Sequence, residues 1–391
     1  MRFGIACLIG SYLLSQFYRA FLAVLVPVLK ADLGATPEDL AAASGLWFLA
    51  FAATQIPVGI ALDRIGPRWT ATVALSVGGG LGAAIFATAT TPLHIQIAMA
   101  LIGIGCAPVL MASYYIFARS FPPAVFGTLA GMSVGVGNIG NIGASLPLAW
   151  AVEAFGWRNT LWALTGLTLV VAGLIAVAVR DPARVPPQPG GGSLRTILTS
   201  RGVWPVYAMM TVAYMPAAAM RGLWIGPYYA DVFAADTARI GQVTLVMGLA
   251  MVAGNFAYGP LDRVFHSRKW VILTGNLLCA LCFFGLWAMP AASSRTSLAL
   301  IALIGLFGCT YPMIMAHCRA FLPPHLIGRG VTLLNLASIG SAGLAQVVTG
   351  RIHAAIPPDP PSAPYAALFL GFGLAMLAGC ALYLLSEDRT D

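Results

Sequence analysis

The chain has 391 residues, of which 59% are hydrophobic and 9% charged, with a formal net charge of +8. A water-facing surface needs about 25% charged residues, so a soluble globular domain is excluded and an integral membrane protein is the class that fits. The positive balance then belongs to arginine in loops at one face of a bilayer, not to nucleic acid.

Backbone groups in lipid must bond within helices or a closed barrel. The apolar runs are about 20 residues or longer, the length of a spanning helix, and do not alternate with period two, so a helical bundle is predicted. The run behind Met1-Arg2 reads as a retained first span, because it is long, carries Tyr18 and Arg19 and lacks a small-residue cleavage site. Twelve spans are expected, at 3–29, 40–62, 70–89, 94–118, 125–150, 159–179, 203–229, 240–260, 270–290, 297–320, 328–351 and 364–385. All seven cysteines fall in apolar runs, and Cys279-x-x-Cys282 reads as packing rather than a redox pair.

Between spans six and seven, Arg180 to Arg201 holds Pro186-Pro187 and Gly190-Gly191-Gly192, the composition of a flexible linker. The expected organisation is an all-α integral membrane protein with a six-helix bundle over 1–180, a cytoplasmic linker over 181–201 and a second six-helix bundle over 202–391. With the N-terminus inside, fourteen of the 21 basic residues fall on the inner side and five (Lys30, Arg158, Arg239, Arg295 and Arg351) on the outer. That bias predicts both termini in the cytoplasm. Arg19 and Arg221 belong to neither side.

Overlaying the halves at an offset near 200 exposes a repeat. Ala100-Leu101-Ile102-Gly103 recurs as Ala302-Leu303-Ile304-Gly305, Pro122-Pro123 as Pro323-Pro324, and Gly127 as Gly328. Asp63-Arg64 recurs as Asp262-Arg263, and Arg19 as Arg221. Transporters built from such repeats bind their cargo where the repeats meet.

The loop after span two reads Gly59-Ile-Ala-Leu-Asp63-Arg64-Ile-Gly66-Pro67-Arg68. It resembles the signature loop of the major facilitator superfamily, G-x-x-x-D-R-x-G-R-R, with Pro67 departing from the pattern. Gly156-Trp157-Arg158 after span five is also common in that family. The resemblance covers essentially the whole chain and implies the major facilitator fold. It also implies that Gly59, Asp63, Arg64, Gly66 and Arg68, with Asp262 and Arg263 of the second copy, form a conformational gate. Asp63 is expected at the positive N-terminus of span eleven near Gly328, with Asp262 in the matching place at span five.

An arginine inside a span costs about 2.5–3.5 kcal/mol on insertion scales and does not escape by losing its proton. No carboxylate lies deep in any span: Glu153 is near an end, and Asp32 and Asp231 are outer. Two repeat-related cations, Arg19 and Arg221, therefore predict an anionic cargo, matched by the planar guanidinium fork. The pair resembles that of the organophosphate:phosphate antiporters, which implies an anion without implying a sugar phosphate. The alternative is that each arginine snorkels or bonds carbonyls structurally. Tyr18, Trp224, Tyr228, Gln55, Asn255 and Tyr311 are candidate cavity residues, each equally readable as a helix–helix hydrogen bond. Pro216 and Gly226-Pro227 should weaken span seven. Gly131, Gly135, Gly137, Gly140 and Gly143 should let span five approach a neighbour closely.

Met313, Met315, His317 and Cys318 are soft-ligand types that would suit Cu(I), but they are also ordinary packing residues. Met99 stands where the proton-coupled pattern has an arginine, so exchange or uniport is expected, with His317 as the remaining proton-relay candidate. No phosphate-binding Walker loop, nucleophile–base set or metal-ligand spacing occurs in the sequence. The expectation is a monomeric secondary transporter of a small anion in a bacterial inner membrane, with no cofactor and no enzymatic chemistry. Efflux of amphipathic compounds, copper import and a non-transporting receptor are the alternatives.

Overall fold

Lipid offers no hydrogen-bond partners, so a chain this apolar must close its backbone bonds within helices. The computed structural model describes residues 2–121, 123–182, 202–322 and 327–389, and it is helical throughout its long elements. Most of the expected linker, residues 183–201, lies outside the described residues, as do Pro122 and residues 323–326.

Each expected span has a helical counterpart among the described residues. Span one is Arg2–Ala20 and Leu22–Leu33, bent by 49° at their junction. Span two is Pro37–Arg64, opened by a capping box in which Thr36 and Asp39 bond each other's backbone. Span three is Pro67–Val73, Ala74–Gly80 and Leu81–Ala87, its middle piece a wide π turn; span four is Pro92–Ser120. Span five is Pro123–Gly143 and Leu146–Phe155, and span six is Trp157–Ala178.

Span seven is broken into Trp204–Ala213, Met215–Ala219, Met220–Trp224 and Ile225–Phe233. Its pieces start beside Pro216 and Gly226-Pro227, the residues that weaken it. Spans eight to twelve are Thr237–Phe265, Lys269–Ala288, Ser294–Phe307 with Tyr311–Arg319, Ile327–Ala355, and Ala363–Tyr383. Nine helices pass as single membrane spans and the bent pair makes a tenth, among the described residues; spans five and seven complete the set as consecutive shorter pieces.

The chain separates into two compact units, Met1–Pro186 with Ala235–Thr244 and Pro187–Ala234 with Leu245–Asp391. The sequence repeat is also a packing repeat. In the first unit a side chain at Gly103 of span four would strike the Trp47 carbonyl of span two. In the second, one at Gly305 of span ten would lie 2.8 Å from the Met247 carbonyl of span eight. Both helix pairs cross so closely that only hydrogen fits.

The Gly156-Trp157-Arg158 turn ties the first unit at the other end. Trp157 Nε1 donates to Asp32 Oδ2 at 2.7 Å, and Arg158 Nη1 donates to the Ala89 carbonyl at 2.9 Å. All seven cysteines are buried free thiols.

Span five's glycines divide into two kinds. A side chain at Gly140 would overlap the Leu13 carbonyl of span one, and one at Gly137 the Tyr12 ring, whereas Gly135 has open space. Overpacking costs about 1–3 kcal/mol. Gly140→Ala should therefore lower the melting temperature in detergent, while Gly135→Ala leaves it within error; equal effects would contradict this packing.

Candidate functional site

Arg19 sits in the last turn of its helix, just before the bend of span one, and is half-buried. Its guanidinium carbon lies 5.1 Å from the Trp47 ring centre, 5.9 Å from Phe48 and 5.6 Å from Phe51. Span two thus presents an aromatic face to the cation, a contact worth about 0.5–2 kcal/mol depending on desolvation. Cys106 of span four is within electrostatic reach of Arg19. Gln55, one turn past Phe51, is buried on the same stripe.

Arg221 lies in the π turn Met220–Trp224 and is 6% exposed. Its Nη1 lies 3.7 Å from Met251 Sδ of span eight. A side chain at Gly248 would come within 2.9 Å of Nη2, so glycine leaves the room that the guanidinium fills. Tyr214 and Cys309 are its electrostatic neighbours. The Tyr214 ring packs on Tyr311 at 5.9 Å, and Tyr311 Oη donates to Asn335 Oδ1 at 2.6 Å. Asn255, one turn past Met251, is exposed and donates to the Met251 carbonyl at 3.0 Å.

The two halves therefore build the same neighbourhood. In each, the arginine of the first span packs on the second span, at Phe51 or at Met251, 200 positions apart. A cysteine of the fourth span lies within electrostatic reach of it, Cys106 or Cys309, 203 positions apart. The partners differ in kind, a π face in one half and a thioether in the other.

Three candidates are turned into helix contacts instead. Tyr18 is fully buried, with its hydroxyl 2.7 Å from Thr168 Oγ1 of span six. Trp224 Nε1 donates to Thr349 Oγ1 of span eleven at 2.9 Å, with its ring 5.3 Å from His353. Tyr228 donates to the Pro290 carbonyl at 2.7 Å and packs on Tyr365 and Phe369. The regular spacing of three and seven residues puts Trp224 and Tyr228 on the face of Arg221. The π turn bonds i to i+5 and holds more residues than an α turn, so it rotates the residues beyond it. Tyr214, seven residues before Arg221 and ahead of that turn, keeps the shared face; the same spacing read backwards would have found it.

His317 is buried, with Nδ1 2.6 Å from Tyr383 Oη and Nε2 3.1 Å from the Glu387 carbonyl. Met313, Met315 and Cys318 belong to the apolar core among spans seven to twelve. Among the described residues no group of three or more His, Cys, Asp or Glu side chains is arranged to hold a metal.

A family model described as Major Facilitator Superfamily matches residues 8–226 and again residues 207–391. The chain belongs to the major facilitator superfamily. It is 21% identical over 411 residues to the uncharacterized transporter YybO of Bacillus subtilis, covering 96% of this chain and 91% of that one. Its fold is similar to that of a D-xylose-proton symporter, with a TM-score of 0.77, 15% identity and 98% and 97% of the two chains covered. A bacterial homolog of the human lysosomal transporter Spinster, inward-facing and occupied, gives 0.74, with 14% identity and 97% and 95% covered. The chain is thus a membrane transporter of this superfamily and not an enzyme.

The superfamily's signature loop is bonded on both sides. Asp63 is exposed and lies 3.6 Å from Arg119 Nη2 at the end of span four; Arg64 is exposed, and Gly59 has open space around it. Gly66 has φ +103°, and a side chain there would come within 2.7 Å of the Asp181 carboxylate. Asp181, just past span six, accepts from the Arg68 backbone N–H at 2.8 Å, while Arg68 Nε donates to the Ala176 carbonyl at 2.5 Å.

In the second half Asp262 pairs with Arg268 at 3.4 Å; the Arg263 side chain lies outside the described residues. Asp388, just past span twelve, accepts from the backbone N–H groups of Arg268 at 3.1 Å and Lys269 at 3.0 Å and from the Ser267 hydroxyl. Asp181 and Asp388 are thus equivalent N-terminal caps, of span three and span nine, that the sequence reading missed. Their signal was position alone: each carboxylate comes after the sixth span of its half.

Partial burial opposes ionisation of Asp388, but the Ser267 hydroxyl and the two backbone N–H groups outweigh it and hold the carboxyl below the ordinary carboxylate range. A depressed folded value adds stability above the unfolded value, and that stability is lost as pH falls through the folded one. Asp388→Asn should flatten this acid limb of the unfolding profile. Removing a cap costs about 0.5–2 kcal/mol, so Asp181→Ala should lower the melting temperature at neutral pH. An unchanged melting temperature would contradict the cap.

Proposed function

We propose that the protein moves a small anion by alternating access, as an exchanger or uniporter, with Arg19 and Arg221 each supplying a guanidinium to the anionic group. The observation that carries this reading is the repeated seat of the two arginines, each held mid-span against the second helix of its own half. Cations inside membrane spans are costly to place and mark substrate pathways, and here two stand at repeat-related positions. A carboxylate or phosphate suits the guanidinium fork, whereas a metal cation would be repelled. Gln55 and Asn255 extend the same stripes, and Tyr311 adjoins the Arg221 group through Tyr214.

In this reading the Asp63 and Asp262 loops govern which side is open, and the protein works as a monomer in a bacterial inner membrane with both termini cytoplasmic. Asp63→Asn should shift the population towards the inward-open form, seen as faster labelling of single cysteines introduced at the cytoplasmic side. Unchanged labelling would sink the gate.

Flux in proteoliposomes tests the cargo. Hydrogen bonds to a charged group are worth about 1.5–3 kcal/mol, or roughly 10- to 100-fold in affinity. Arg19→Gln and Arg221→Gln should each reduce exchange of a labelled carboxylate or phosphate by about that factor. Normal flux in both variants would rule out these arginines as the anion site.

A further inference from the structure

Past span twelve the chain turns back as a short strap, residues 384–389, across the start of span nine and the end of span ten. Asp388 caps span nine through Ser267, Arg268 and Lys269, and Lys269 Nζ donates to the Leu384 carbonyl at 2.8 Å. Arg389 lies 4.6 Å over the Phe321 ring and pairs with Glu387 at 2.6 Å. The inner side of the strap rests on His317. Its ring stands between Phe321 and Tyr383, at 5.0 and 5.7 Å, and both of its nitrogens are engaged.

The partners fix the protonation state. A carbonyl only accepts, so Nε2 carries the hydrogen given to Glu387; in the neutral ring Nδ1 then accepts from the Tyr383 hydroxyl. A second proton on Nδ1 makes both groups donors, and Tyr383 must turn its hydrogen away inside a packed contact. Among the described residues, the charged groups that act on the ring are Arg268, Lys269 and Asp388. The two cations oppose an imidazolium, while the Asp388 carboxylate is already shared among three donors. The Glu387 carboxylate is taken by Arg389.

We propose that His317 is a proton-operated clasp for the C-terminal strap. The neutral ring holds residues 384–389 across the ends of spans nine and ten; protonation from the compartment facing the C-terminus releases them and frees the end of span ten. This proposal does not depend on the cargo being an anion. It gives His317 a positioning role at the end of the bundle in place of a proton relay.

Hydrogen exchange of the amides in 384–389, corrected for intrinsic rates, reads the strap directly. An unperturbed histidine titrates near 6.5, and Asp388 stays ionised from pH 8 to pH 5 because its carboxyl is held low. In the intact protein, corrected exchange should rise about tenfold or more from pH 8 to pH 5. His317→Gln keeps one donor and one acceptor without titrating, so it should remain protected at both values. Should that variant not fold, Tyr383→Phe removes the donor to the neutral ring and should move the release midpoint to higher pH. Exchange that is flat with pH in the intact protein overturns the clasp, as does a variant that tracks the unmodified curve.

Discussion

The constraint on which the rest depends is the cost of holding a guanidinium inside a hydrocarbon-spanning helix. Arginine keeps its charge there, so the surrounding helices must supply something a cation accepts. One half supplies three aromatic rings of span two around Arg19. The other supplies a thioether, a missing side chain at Gly248 and a widened helical turn around Arg221. None of these partners carries a formal negative charge. The solutions differ chemically but occupy repeat-equivalent places, which argues that the position of the charge is what the fold preserves.

That equivalence is possible because each half is built on the same close crossings. Gly103 against the Trp47 carbonyl and Gly305 against the Met247 carbonyl set spans two and four, and eight and ten, at backbone contact. The residues that meet the arginines lie on those same helices, within a turn or two of the crossing. At the ends of the helices a second equivalence emerges, Asp181 and Asp388 each capping the third span of its half from beyond the sixth. In the first half the cap explains the signature loop: Gly66 is glycine both for its left-handed backbone and for the carboxylate beside it.

Much of this was legible in the sequence. Hydropathy located every span, and Pro216 and Gly226-Pro227 marked the places where span seven breaks. The offset near 200 paired Arg19 with Arg221 and Asp63 with Asp262. The remainder depends on geometry that spacing does not encode. The π turn at Met220–Trp224 carries no sequence signature, and it turned Trp224 and Tyr228 from expected neighbours of Arg221 into ties to Thr349 and Pro290. Tyr18 adjoins Arg19 in sequence but faces span six, because successive residues on a helix point about 100° apart. The contacts of His317 come from the end of span twelve and the strap beyond it, 66 to 70 residues away, where local patterning is silent.

The most direct measurement of the central claim is ligand-dependent thermal unfolding of the purified protein against carboxylates, phosphate, nitrate and copper. It should be run side by side with the double variant carrying Arg19→Gln and Arg221→Gln. The account predicts that one anion class raises the melting temperature of the unmodified protein and leaves the double variant unmoved. Stabilisation by copper alone, or an anion shift that survives loss of both arginines, would contradict it.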